Sequence, residues 1–151
     1  MASMEKVTIV WSGPYSIESA IRKLDREKDF GVYMIIREWK GKKTLLYIGS
    51  VYGDKYWRSF ADRIAEHKRE WLYDLRGIRI YVGRVKLQKG KRHSKKRIED
   101  IECLLIYVHQ PEENVRCMSS YTGRELKIIN VGRRGPLFRE IYTSEDYIEY
   151  Y

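Results

Sequence analysis

Two short strings in this chain place phenols a hairpin apart: Gly31-Val32-Tyr33 and Tyr47-Ile48-Gly49. An antiparallel hairpin would bring Tyr33 and Tyr47 near each other at one sheet edge. Further along, Arg63 and His67 are four residues apart and share a helix face. A guanidinium fork suits a phosphate, to which it can make two parallel charge-assisted hydrogen bonds. An imidazole can carry or relay a proton near neutral pH. Glu102 falls within the apolar stripe Ile98, Ile101, Leu105, Val108. A carboxylate there is costly unless a divalent cation or a cationic side chain compensates it. Asn114 follows, past Pro111, where it could cap a loop or hydrogen-bond across a site. Phenols, guanidinium, imidazole and carboxylate together suit phosphodiester chemistry. Each residue also has a plain structural reading. Tyrosines pack across strands, Arg63 can pair with neighbouring acids on a solvated helix face, and Glu102 can sit in a buried ion pair with an arginine.

The elements that must hold these groups are readable. Tyr33-Met34-Ile35-Ile36 and Thr44-Leu45-Leu46-Tyr47-Ile48 are rich in strand formers, with Gly41 in the charged stretch between them. A helix over about 56–75 carries the apolar stripe Trp57, Phe60, Ala61, Ile64, Trp71, and Gly77 ends it. A third strand covers 78–85. A helix covers about 94–108 and stops near Gln110-Pro111. Before the hairpin, 6–11 reads as a strand broken by Ser12-Gly13-Pro14, and Ser16 opens a helix with Ile17, Ala20, Ile21 and Leu24 on one face. This leader is expected to be a packing layer over the sheet. Beyond residue 115 come a short strand at 126–129 and turns, and Ser144-Glu145-Asp146 reads as the opening of a terminal helix.

Composition narrows the class of partner. A chain of 151 residues fits one domain, 1–151, with 43% hydrophobic and 13% aromatic residues. The net charge of +9 favours a polyanion, with nucleic acid the first candidate. No apolar run is long enough for a membrane span, so no membrane partner is expected. The opening residues lack the pattern of a secretory signal. Cys103 and Cys117 cannot make a zinc site alone, and Cys103 reads as a small core residue. A cytoplasmic, reducing location is the expectation. Lys89, Lys91, Arg92, Lys95, Lys96 and Arg97 crowd the start of the Glu102 helix, where cations oppose the helix dipole. They read either as a solvated loop or as a phosphate-contact surface, sequence-independent and salt-sensitive. Tyr52, Tyr56 and Trp57 could stack on displaced bases.

The ordered set Tyr33, Tyr47, Arg63, Glu102 and Asn114 resembles the GIY-YIG nuclease superfamily, and Arg63-xxx-His67 is similar to a helix motif of many of its members. The likeness covers roughly residues 31–114, with Val32 in place of isoleucine and a slightly long gap between the strings. It implies an α/β (α+β) fold: a small antiparallel three-stranded central sheet flanked by helices, extended by a leader 1–30 and a tail 115–151. It also implies a Mg²⁺-dependent (or Mn²⁺-dependent) DNA endonuclease with one ion on Glu102. Tyr33 would orient or deprotonate the attacking water with help from His67, and Tyr47 would bond the phosphate or the water. Arg63 would neutralise developing charge, Asn114 would hold local geometry, and the products would carry 5′-phosphate and 3′-hydroxyl ends. Two cuts on a duplex need two sites, which a homodimer would supply. The competing classes are a non-catalytic nucleic-acid-binding module with the same fold and a basic structural subunit of a ribonucleoprotein.

Overall fold

The structure is a computed structural model that describes residues 4–24, 31–52, 59–144 and 147–151. Its sheet corrects the expected architecture. Among the described residues, seven strands, not three, form one mixed sheet curled into a half-barrel, in the order β3-β2-β4-β1-β5-β6-β7. The strands are β1 (Glu5–Tyr15), β2 (Gly31–Trp39), β3 (Lys42–Val51), β4 (Ile78–Leu87), β5 (Leu126–Gly132), β6 (Glu140–Thr143) and β7 (Ile148–Tyr150). The three expected strands are present and antiparallel, but they make up one end of the sheet.

The leader is the main departure. β1 is not a layer over the sheet. It pairs antiparallel with β4 and parallel with β5, which places it at the sheet's centre. A three-stranded sheet would leave the long β4 with an open row of backbone donors and acceptors, and β1 closes it. The Ser12-Gly13-Pro14 break does not end β1. The strand absorbs it as a register shift between Ser12 and Tyr15. Instead of the expected terminal helix, β7 pairs with β6, although Glu145 and Asp146 themselves lie outside the described residues.

Both faces of the sheet are covered, and β2 shows this in its period-two alternation. Val32, Met34 and Ile36 point into a core with Val7, Ile9, Trp11, and the helix α3 (Lys95–His109) through Ile98, Ile101, Leu104 and Leu105. Tyr33 and Ile35 point the other way. There they meet α1 (Ile17–Lys23) and α2 (Phe60–His67) through Ala20, Phe60 and Ile64. Burying each such side chain contributes about 1.5–3 kcal/mol, which fixes the face that each strand residue takes.

The expected helix over 56–75 begins, in the described residues, at Phe60. Residues 53–58, including Tyr56 and Trp57, lie outside them. Ser59 caps α2 in a reciprocal capping box with Asp62. After His67 the helix widens into a π-helical turn, Lys68–Leu72. Cys103 and Cys117, expected as free thiols, are bonded to each other. The bond ties α3 to the segment that follows Asn114. No helix among the described residues is long and apolar enough to cross a membrane.

Candidate active site

The phenols lie on one face of the sheet. Tyr33 on β2 pairs across the strands with Gly49, and Tyr47 on β3 pairs with Ile35. Their ring centroids are 6.1 Å apart. The register explains the glycine after Tyr47-Ile48: a Cβ on Gly49 would stand 2.5 Å from Cζ of Tyr33 and closer still to its hydroxyl. Gly49 is thus the floor on which the Tyr33 phenol rests. Tyr33 is fully buried, while Tyr47 is half-buried.

α2 brings its cation and imidazole to these rings. The Arg63 charge acts on the Tyr33 phenol, and its Nη1 donates to Glu66 at 2.6 Å. His67 is buried, with Nε2 2.8 Å from the Tyr33 hydroxyl and Nδ1 accepting from the Trp71 indole at 2.8 Å. Burial, with the Arg63 charge adding to it, holds the His67 imidazole down to about 4. Burial also pushes Tyr33 above the usual phenol range. Tyr47 is raised by burial and then by the Glu102 carboxylate. Both phenols are therefore neutral at pH 7 and act as hydrogen-bonding groups.

The carboxylate arrives from the other side of the sheet. α3 packs on the opposite core, and Glu102 reaches past the β3 edge, where Ser50 donates to its Oε2 at 2.9 Å. Glu102 makes no ion pair among the described residues. Desolvation pushes its carboxyl above the usual carboxylate range, opposed by the Ser50 hydroxyl and by Arg116. The buried Arg–Glu pair open to the sequence is not found among the described residues, and a largely desolvated carboxylate faces a cavity instead. That cavity, a cleft of about 490 Å³, is lined by Tyr47, Ser50, Arg63, Lys95, Glu99, Glu102 and Arg116. Tyr33 and His67 stand behind its wall.

Asn114 does not line this cleft. Its amide clamps the backbone of Ile48, accepting from the N–H and donating to the carbonyl, each at 2.9 Å. It acts as a substitute strand on the open β3 edge, next to Tyr47 and Gly49. Ser50 and Arg116 were not singled out in the sequence. A serine three residues after a site tyrosine carries no local signal, and Arg116 lies in an irregular segment.

The basic run divides. Arg97 binds Glu5 through Nε and Nη2, at 3.0 and 3.2 Å, and Lys91 lies 3.8 Å from the same carboxylate. Lys96 bonds Asp100 at 2.5 Å, and Arg124 reaches the other oxygen of Asp100 at 2.8 Å. Asp100 is buried. The helix start thus carries fewer unbalanced cations than its sequence suggests. Lys89, Arg92 and Lys95 are exposed and make no ion pair among the described residues, and only Lys95 of the six lines the cleft.

One hard divalent cation fits this donor set. Such an ion binds through one or two carboxylates and keeps waters and substrate phosphate oxygens for the rest. Glu102 offers a cleft-facing carboxylate, with Glu99 on the same wall. The described residues contain no cluster of three or more His, Cys, Asp or Glu able to hold a metal. An ion here would therefore depend on water and phosphate for most of its ligands. In comparisons with family models, curated proteins and solved structures, nothing matches this chain.

Proposed function

We propose that this chain is a metal-dependent endonuclease that hydrolyses DNA phosphodiester bonds through a site of the GIY-YIG type. The observation that carries the reading is the meeting of Tyr47, Arg63 and Glu102 in one cleft, although they come from a strand, a helix on one face and a helix on the other. A phosphate in that cleft meets a guanidinium, a phenol and a desolvated carboxylate.

Arg63 neutralises the charge that grows on the non-bridging oxygens, and its bond to Glu66 fixes it before substrate arrives. Tyr47 is neutral and half-exposed, so it orients the attacking water or holds a phosphate oxygen. Glu102 would hold the cation, with Ser50 fixing the carboxylate's orientation. When bound, Mg²⁺ or Mn²⁺ would supply Lewis-acid chemistry that activates a water and stabilises a leaving oxygen. Lys95 and Arg116 extend the positive rim along which a backbone can lie. The expected ends are a 5′-phosphate and a 3′-hydroxyl. Two copies acting together would cut both strands.

The test is nicking of supercoiled plasmid with Mg²⁺, with Mg²⁺ plus chelator, and with Glu102→Ala. Cleavage that needs the ion and vanishes in the variant supports the reading. Wild-type cleavage by Glu102→Ala refutes the mechanism. Binding without cleavage by the wild-type protein makes the chain a non-catalytic nucleic-acid-binding module.

A further inference from the structure

The hydrogen bonds behind the cleft have a direction. Indole nitrogen only donates. Trp71 Nε1 gives its proton to Nδ1 of His67 at 2.8 Å, so Nδ1 carries none. A neutral imidazole must then hold its proton on Nε2, the atom 2.8 Å from the Tyr33 hydroxyl. Nε2 consequently donates to Tyr33. Tyr33 is thus the acceptor of this bond, and His67 cannot take the phenol's proton.

We propose that Trp71 is a positioning residue that locks His67 in its Nε2–H form, so that His67 serves as a hydrogen-bond donor to Tyr33 and not as the base of the site. The consequence for the chemistry rests on the nuclease reading, but the proton's location does not. The chain Trp71 to His67 to Tyr33 runs one way, each group donating to the next, and such chains polarise their members. The Arg63 charge acts on the Tyr33 phenol. Loosening Trp71 therefore disturbs the phenol beside the guanidinium while leaving the phosphate-facing residues intact.

Local geometry supports a dedicated role for the indole. Trp71 lies in the π-helical turn, a feature common at functional sites. Its ring stands edge-on to His67 at 5.7 Å and 6.3 Å from Tyr47. The same molecule holds a contrasting case. His109 Nδ1 lies 2.8 Å from the Leu105 carbonyl, which only accepts, and its Nε2 receives the Phe138 N–H at 3.0 Å. His109 must therefore be the Nδ1–H form. One buried and one partly buried imidazole hold opposite protons.

The experiment is a long-range ¹⁵N–¹H correlation spectrum of the full chain with labelled histidine, at neutral pH, for wild type and Trp71→Phe. The expected wild-type result is a protonated Nε2 on His67 and a protonated Nδ1 on His109. In Trp71→Phe the His67 proton should redistribute over both nitrogens while His109 is unchanged. Plasmid nicking should then slow about ten-fold in kcat with KM nearly constant, the loss expected for one orienting hydrogen bond. Protonated Nδ1 on His67 in the wild type overturns the proposal, and so does a folded Trp71→Phe protein with an unchanged His67 spectrum or an unchanged kcat. A wild type that does not nick refutes the nuclease reading alone, because the spectra still decide where the His67 proton sits. If Trp71→Phe does not fold, the wild-type spectrum decides.

Discussion

Gly49→Ala tests the packing on which the site rests. The added methyl would stand 2.5 Å from Cζ of Tyr33 and nearer its oxygen, inside any tolerated contact. Tyr33 has nowhere to go. It is fully buried, its ring meets Phe60 edge-on at 6.4 Å, and its hydroxyl is held by His67 at 2.8 Å. Overpacking of this kind costs about 1–3 kcal/mol. Displacing the phenol also breaks the bond from His67, worth about 1 kcal/mol. The expected loss is about 2–4 kcal/mol. With a urea slope of about 1–3 kcal/mol per molar for a domain of this size, the unfolding midpoint falls by about 1–2 M. The assay is urea unfolding followed by circular dichroism, repeated in a Tyr33→Leu background. Removing the ring removes the clash, so the double variant should be more stable than the sum of the two single losses predicts, by about 1 kcal/mol or more. Gly41 provides the contrast: its Cβ would meet nothing within 4 Å, and its φ of +78° costs only about 1 kcal/mol on substitution. A Gly49→Ala protein within about 0.5 kcal/mol of wild type, or strict additivity with Tyr33→Leu, refutes the argument.

Glu102→Gln should separate function from stability. Nicking falls about a hundred-fold or more, while the midpoint holds or rises, because the variant removes a carboxylate that burial disfavours and keeps an acceptor for Ser50; loss of both refutes it. Stability should fall with acid between about pH 6.5 and 4.5. His67 and His109 are both held down to about 4 by burial, so the unfolded chain binds their protons first. Their contribution is complete above pH 6.5 and is lost as the pH drops towards 4. A flat urea midpoint across that window contradicts both burial assignments. Lys95→Ala should weaken DNA binding and reduce its salt slope by about one, whereas Arg97→Ala should lower the unfolding midpoint through its lost pair with Glu5. Equal effects of the two on binding would return the basic run to a single contact surface.

Sequence reading reached the parts of this molecule that are local. The hairpin is written in strand formers around Gly41, and the face shared by Arg63 and His67 is written in their spacing. The depth of Glu102 follows from the apolar residues around it. What it missed depends on partners distant in the chain. Nothing near Asp100 in the sequence shows that Arg124, far along the chain, reaches it. Arg97 reads as a free cation until Glu5 binds it. β1 looks like an appendage because a strand's own residues do not say which strands will flank it. Ser144-Glu145-Asp146 carries a capping signal, but the residues just beyond it pair with β6, and that pairing prevailed over the local preference. Trp71 reads as one more residue of an apolar stripe, since nothing in its spacing reveals that the helix widens there.

The four strands beyond the expected three bear on the site only through α3. Strand β3 is the sheet's edge, and an edge exposes backbone groups that must be satisfied or shielded. Here the segment after α3 does so: Glu112 and Glu113 donate their N–H groups to the carbonyls of Leu45 and Leu46, and Asn114 takes both backbone groups of Ile48. That docking fixes the end of α3 against β3. The large core on the opposite face, fed by β1 and β5, fixes its length. Glu102 can therefore project around the edge to meet Tyr47 and Arg63, which belong to the other face. The cleft exists because the edge is closed by a loop and not by an eighth strand. A further strand on β3 would occupy the place of the Asn114 segment and remove the route by which the carboxylate reaches the phenols.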